Sequence, residues 1–172
     1  MNYHGFIQRL PVEIKWFVGS FVVVLSIGFY TGLLFVSQTS TSAPSGVVEN
    51  YLGNESDEDA KVMKFKKSEH EMLSIIHTHI LSMSFIFFLL GILVWLTALP
   101  KKVKVFLSIE PFLSVILTFG GIYLLWSGVE WMKYIIVFSG ILMTITFMFS
   151  SLTVLYQLVN PINSKRKENS NS

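Results

Sequence analysis

The chain has 172 residues, of which 52% are hydrophobic and 14% charged, and its mean hydropathy is +0.58. Soluble domains carry about 25% charged residues, so the balance excludes an ordinary soluble domain, and the absence of cysteine excludes disulfides, thiolate metal sites and thiol catalysis. The net charge of +2 and the pI near 8.8 come from short basic flanks, not from a polybasic domain, which argues against nucleic acid as a partner.

Residues 1–15 are expected to be a cytoplasmic segment bearing Arg9 and Lys15. Residues 16–36 form the first apolar run, long enough to cross about 30 Å of hydrocarbon as a helix. The run exceeds an ordinary signal core and lacks an Ala-x-Ala-like end, so it reads as a retained span rather than a cleaved leader. Residues 37–71 read as an extracytoplasmic loop. It opens with the polar linker QTSTSAPSG and continues through Asp57, Glu58 and Asp59 to four lysines. It is too short and too charged to bury a core of its own, and Val47, Val48, Tyr51 and Leu52 are the residues expected to rest on the rim of a bundle. Asn54-Glu55-Ser56 fits the glycosylation acceptor pattern, which is short and recurs by chance.

Three more spans follow, at residues 72–99, 103–126 and 132–159, with turns at 100–102 and 127–131. Pro100 stops a helix and Gly128 supplies a turn. Residues 160–172 are polar and charged and are expected to form a disordered cytoplasmic tail. In lipid, uninterrupted apolar runs satisfy their backbone only as helices, and the alternation required of a barrel strand is absent. Short turns make neighbours antiparallel. The predicted fold is therefore an all-α integral membrane protein, a four-helix antiparallel transmembrane bundle. Arg9 and Lys15, then Lys101, Lys102 and Lys104, then Lys165, Arg166 and Lys167 all flank the same side. The positive-inside rule places that side, with both termini, in the cytoplasm.

The second span opens with a cluster of ionisable groups, Glu69, His70, Glu71, His77 and His79. Such groups at a bilayer edge serve as ligands, proton carriers or anchors. On a continuous helix His70 and His77 share a face but stand about 10 Å apart along the axis, too far for one metal ion. His77 and His79 point to nearly opposite faces. The spacing of the helical zinc-protease motif is missing. A haem b needs two axial ligands, and the remaining histidine, His4, falls across the membrane. A second subunit or Met132 would have to supply the other ligand. Met72, Met83, Met143 and Met148 read as packing residues. The bland reading is that the histidines snorkel or tie down the loop.

Glu110, followed by Pro111, lies inside the third span. A buried carboxylate is costly, so Glu110 is a candidate for proton handling; the bland reading pairs it with Lys104 or a tail lysine. Gly28 and Gly32, and Gly120 and Gly121, are expected to allow close helix contacts. Trp16, Trp95, Trp126 and Trp131 fall near span ends, where aromatic belts form. No phosphate loop, nucleophile elbow or dinucleotide motif points to a familiar enzyme class.

Glu69, His70, His77, His79 and Gly91 resemble the histidine-marked second helix of small bacterial four-helix membrane proteins. That resemblance implies a bacterial inner membrane. Taken with the residues, the leading expectation is a small redox-associated subunit with haem b or a metal ion near the extracytoplasmic face, held by His70, His77 and His79 with Glu69 and Glu71 nearby. Homo-oligomerisation or other membrane subunits would complete the ligands. A purely structural or assembly subunit, and a proton-handling or transport component using Glu110, are the alternatives.

Overall fold

Each of the four apolar runs folds as a helix, the form that closes its own backbone hydrogen bonds in hydrocarbon. The computed structural model describes residues 3–39, 43–55 and 62–160. In chain order the helices are α1 (Val12–Thr39), α2 (Pro44–Leu52), α3 (Glu69–Leu96), α4 (Lys101–Val115), α5 (Gly121–Trp126) and α6 (Met132–Val159). A π-helical segment, Ile116–Gly120, joins α4 to α5, so that Lys101–Trp126 is one continuous span. No strand occurs among the described residues. Ser56, the acidic run Asp57 to Asp59 and the basic tail residues Lys165, Arg166 and Lys167 lie outside them.

Spans α3, α4–α5 and α6 pack against one another in all three pairings. Small residues set two close approaches. Gly91 lies on Ser108, where an added Cβ would sit 3.7 Å from the Ser108 Oγ. Gly121 lies under Ile136, where an added Cβ would be only 3.0 Å from its Cγ1. The Thr118 and Ser139 hydroxyls meet at 2.7 Å and fix the register of the third span against α6. Around these contacts sit Phe87, Leu90, Val94, Leu107, Val115, Ile122, Ile136, Met143, Phe147 and Val154, all buried.

The first span is attached differently. It runs antiparallel to α6, with Gly19 beside Leu158 and the Phe29 ring stacked on Phe147 at 3.9 Å. Only 6% of its apolar window is buried, against 50% for the third span. Gly28 and Gly32 meet nothing within 4 Å, so the close helix contact expected at this pair is not made among the described residues. The reason is that α1 docks through the bulkier Val18, Phe21, Val22, Leu25 and Phe29 instead.

The N-terminal segment, the α3–α4 turn and the end of α6 gather at one end of the bundle. There the Gly5 N–H donates to the Thr97 carbonyl at 3.0 Å, and the Ala98 N–H donates to Gln157 Oε1 at 2.7 Å. Ile7 is fully buried at this terminal end. At the opposite, loop end, α2 begins on Pro44 and stops at Gly53, whose φ of 83° favours glycine. Val47, Val48, Tyr51 and Leu52 of α2 pack against the apolar core. The chain after α2 doubles back on it: the Asn54 N–H donates to the Lys64 carbonyl and the Lys67 N–H to the Tyr51 carbonyl. The Asn54 side chain joins this crossing, its Nδ2 donating to the Val62 carbonyl at 3.0 Å and its Oδ1 accepting from the Lys64 N–H at 2.7 Å.

Candidate functional site

At its loop end α3 starts with a capping box, Ser68-x-x-Glu71. The Glu71 N–H donates to Ser68 Oγ at 3.3 Å, and Glu71 Oε2 accepts from the Ser68 N–H at 2.8 Å. This satisfies two orphan donors of the first turn and moves the helix start to Glu69. Glu69 and Glu71 therefore sit where a carboxylate complements the positive end of the helix dipole. Trp126 pins the same junction, its Nε1–H donating to the Lys67 carbonyl at 2.8 Å while the Lys66 ammonium stands 5.0 Å over its ring.

The helix is unbroken from Glu69 to Leu96, so the histidines keep their helical spacing. His70 and His77 lie on one flank, about 10 Å apart along the axis, and His79 lies about 200° round from His77. All three are exposed on the surface of the bundle. No group of three or more His, Asp or Glu that could hold a metal ion is present among the described residues. His4 belongs to the N-terminal segment at the far end. Met132 is buried and its Cε packs beside Gly121.

His79 differs from the other two. Its Nδ1 lies 2.7 Å from the carbonyl oxygen of Ile75, one turn back. A carbonyl only accepts, so Nδ1 is the donor in this contact, and in the neutral ring the lone pair is then on Nε2. The ring also stacks on Phe119 of the π-helical segment, with centroids 4.8 Å apart. Two contacts thus fix the orientation of the imidazole. An N–H held by a backbone carbonyl is the arrangement that prepares the other nitrogen as a metal ligand. The i, i−4 bond is visible in principle from the helical spacing. The Phe119 contact is not, because no pattern in the sequence pairs these two residues.

Beside this junction an apolar groove of about 510 Å³ opens at the loop end, with Leu73 and Ile76 of α3, Ile116 and Gly120 of the π-helical segment and Met132 of α6 among its walls. Depth matters here. A 28-residue helix is about 42 Å long against about 30 Å of hydrocarbon, so symmetric placement puts His77 and His79 about 6–9 Å inside the boundary. His77, Thr78 and His79 are all exposed on the surface of the bundle.

Glu110 is on the third span, away from the histidines. It is buried, Ser114 Oγ donates to its Oε1, and its Oε2 has no hydrogen-bond partner. Lys104 does not pair with it. Six residues apart, the two side chains leave α4 about 120° from each other, and Lys104 Nζ donates to the Trp95 carbonyl at 2.8 Å, capping the last turn of α3.

No curated protein and no solved structure matches the chain. Residues 41–169 match the Aq_1264_TM family, a transmembrane helical domain. The match takes in α2 to α6 and leaves out α1, the span least embedded in the bundle. It covers well over half of the chain, which therefore belongs to the Aq_1264_TM family of transmembrane helical domains.

Proposed function

We propose that this protein is a membrane subunit that meets a second membrane chain along α3 and offers His79 Nε2 there as a ligand to a haem iron or a metal ion. The observation that carries the reading is the exposed His79 ring, oriented by Ile75 and Phe119 so that Nδ1 is engaged and Nε2 is left for a ligand in the neutral ring. The described residues hold too few ligands for a closed site, and in this reading the remaining ones come from the partner, either another subunit or a second copy. Ionisable side chains at membrane depth ordinarily face protein or water rather than lipid, and His77 and His79 lie exposed at such a depth. The basic residues Arg9, Lys15, Lys101 and Lys102 at the terminal end support a cytoplasmic placement of that end and an extracytoplasmic one for the histidines.

The alternative is a purely structural or assembly subunit. It is favoured by the capping box and the Trp126 anchor, which explain Glu71 and the charged junction without a ligand.

The test is a visible spectrum with elemental analysis of the complex extracted gently from native membranes. The proposal expects a haem band or a stoichiometric metal that His79→Ala removes and His70→Ala retains. A complex that is intact and carries neither supports the structural alternative instead.

A further inference from the structure

A second group of polar atoms lies deep in the bundle, remote from α3's histidines. Glu110 is nine residues into α4, about 14 Å along the axis from Lys101. It is 8% exposed, and its Oε2 is one of the buried side-chain oxygens without a partner among the described residues. Its other oxygen accepts from Ser114, one turn further on. Pro111 follows and has no N–H to give the Leu107 carbonyl, so the backbone of this turn is also short of a donor.

The register of the third span brings hydroxyls to the same depth. Thr118 bonds Ser139, and the helices are antiparallel. Glu110 is eight residues from Thr118, and eight residues from Ser139 in the same direction is Phe147. Thr146, Ser150 and Ser151 of α6 therefore lie within about one turn of the Glu110 level, and all three are buried. No described cation is placed to neutralise a carboxylate here. The other ionisable groups on the third span and α6 are Lys101 and Lys102 at the exposed start of α4, Lys104, committed to Trp95, Tyr123 in α5, then Lys133 and Tyr134 at the far end of α6 and Tyr156 near its other end. From Ile80 to Leu96, α3 has none.

An ionised carboxylate with one neutral hydrogen bond and no counter-ion is disfavoured in a low-dielectric interior. We propose that Glu110 is a proton-binding site: a carboxyl held neutral inside the bundle, with Oε1 accepting from Ser114 and Oε2 carrying an exchangeable proton. Binding is the simple association of one proton with one carboxylate oxygen. The ligand class is the proton rather than a metal cation, because the oxygens near this depth are neutral hydroxyls and a single carboxyl. The inference does not depend on any ligand at His79.

Wild-type protein in intact native membranes at neutral pH is treated with a membrane-soluble carbodiimide, which adds to protonated carboxyls, and the adduct is mapped by mass spectrometry. Glu110 is expected to be labelled, while a water-soluble, charged carbodiimide leaves it unmodified. An infrared carbonyl band of a protonated carboxyl should accompany this, and Glu110→Gln should lose the band. No adduct at Glu110 and no such band in wild type overturns the proposal, a readout that needs no variant to fold. Protection from labelling by sodium at constant pH overturns it too, since the site would then hold a metal cation.

Discussion

Replacing Phe147 with alanine tests how the bundle holds its first span. Phe147 is 1% exposed and touches two other spans at once. Its ring stacks on Phe29 of α1 at 3.9 Å and meets Phe87 of α3 edge-on at 6.2 Å. In a soluble core the change would cost about 3–5 kcal/mol, much of it transfer from water. Between helices in lipid the transfer contribution is absent, because the acyl chains are as apolar as the core. What remains is two aromatic pairs at about 0.5–1.5 kcal/mol each, or about 1–3 kcal/mol together. Phe29→Ala removes one pair and should cost about half as much.

The chain has no cysteine, so a pair introduced at Gly19 and Leu158 reports on α1 alone. A short thiol-bridging reagent should link the pair in otherwise wild-type protein. With the reagent added after each step of a denaturing-detergent titration, linking should fail at lower denaturant for Phe147→Ala, and the shift should be smaller for Phe29→Ala. An unchanged midpoint for Phe147→Ala would refute the reasoning that these rings hold α1 to the bundle.

Two further predictions concern the loop end. Gly53→Ala should loosen the α2 crossing, because φ is 83° there and an added Cβ would lie 2.7 Å from the Lys64 carbonyl oxygen; limited proteolysis between α2 and α3 should speed up while the spans stay intact. The Tyr51 phenol is pushed above its ordinary 10.0 by burial, with Asn50 pulling weakly the other way. A raised phenol stabilises the folded loop fully below pH 10, and that contribution is lost as pH rises through the folded value. Phenolate absorbance of wild type against Tyr51→Phe should show this late titration, and a Tyr51 signal at or below the ordinary value would contradict it.

Much of the fold was legible because hydrocarbon admits few backbone solutions. The four apolar runs, Pro100 and the basic flanks led directly to four spans. The finer features depended on contacts between elements. Pro44 and Gly53 bracket α2, yet nine residues in a polar loop form a helix only by resting Val47, Val48, Tyr51 and Leu52 on the bundle. The π-helical segment has no periodic signal, since one extra residue in a turn leaves the apolar run unchanged. Gly28 and Gly32 look in sequence like a packing pair, but a small residue permits an approach without specifying which helix makes it.

The site was legible as residues and not as geometry. Spacing separated His70, His77 and His79 correctly into two flanks. It did not distinguish His79, whose role depends on the Ile75 carbonyl and on Phe119, forty residues further along the chain. Glu71 looks like a ligand in sequence, and the Ser68-x-x-Glu71 capping box of the folded chain accounts for it instead. Of the bland partners for Glu110, Lys104 leaves α4 about 120° away and reaches Trp95 instead, while the tail lysines lie outside the described residues.

The functional account rests on protein covering the histidine-bearing surface of α3. A spin label on Thr78→Cys in native membranes measures this through collisions with dissolved oxygen, which concentrates in lipid, and a label at Phe138 on the exposed side of α6 gives the lipid-facing reference. The account predicts that position 78 is shielded from oxygen relative to position 138, and that the shielding is lost when the complex is dissociated in detergent. Equal oxygen collision rates at the two positions in native membranes would mean that lipid, not a partner chain, covers this face, and would contradict it.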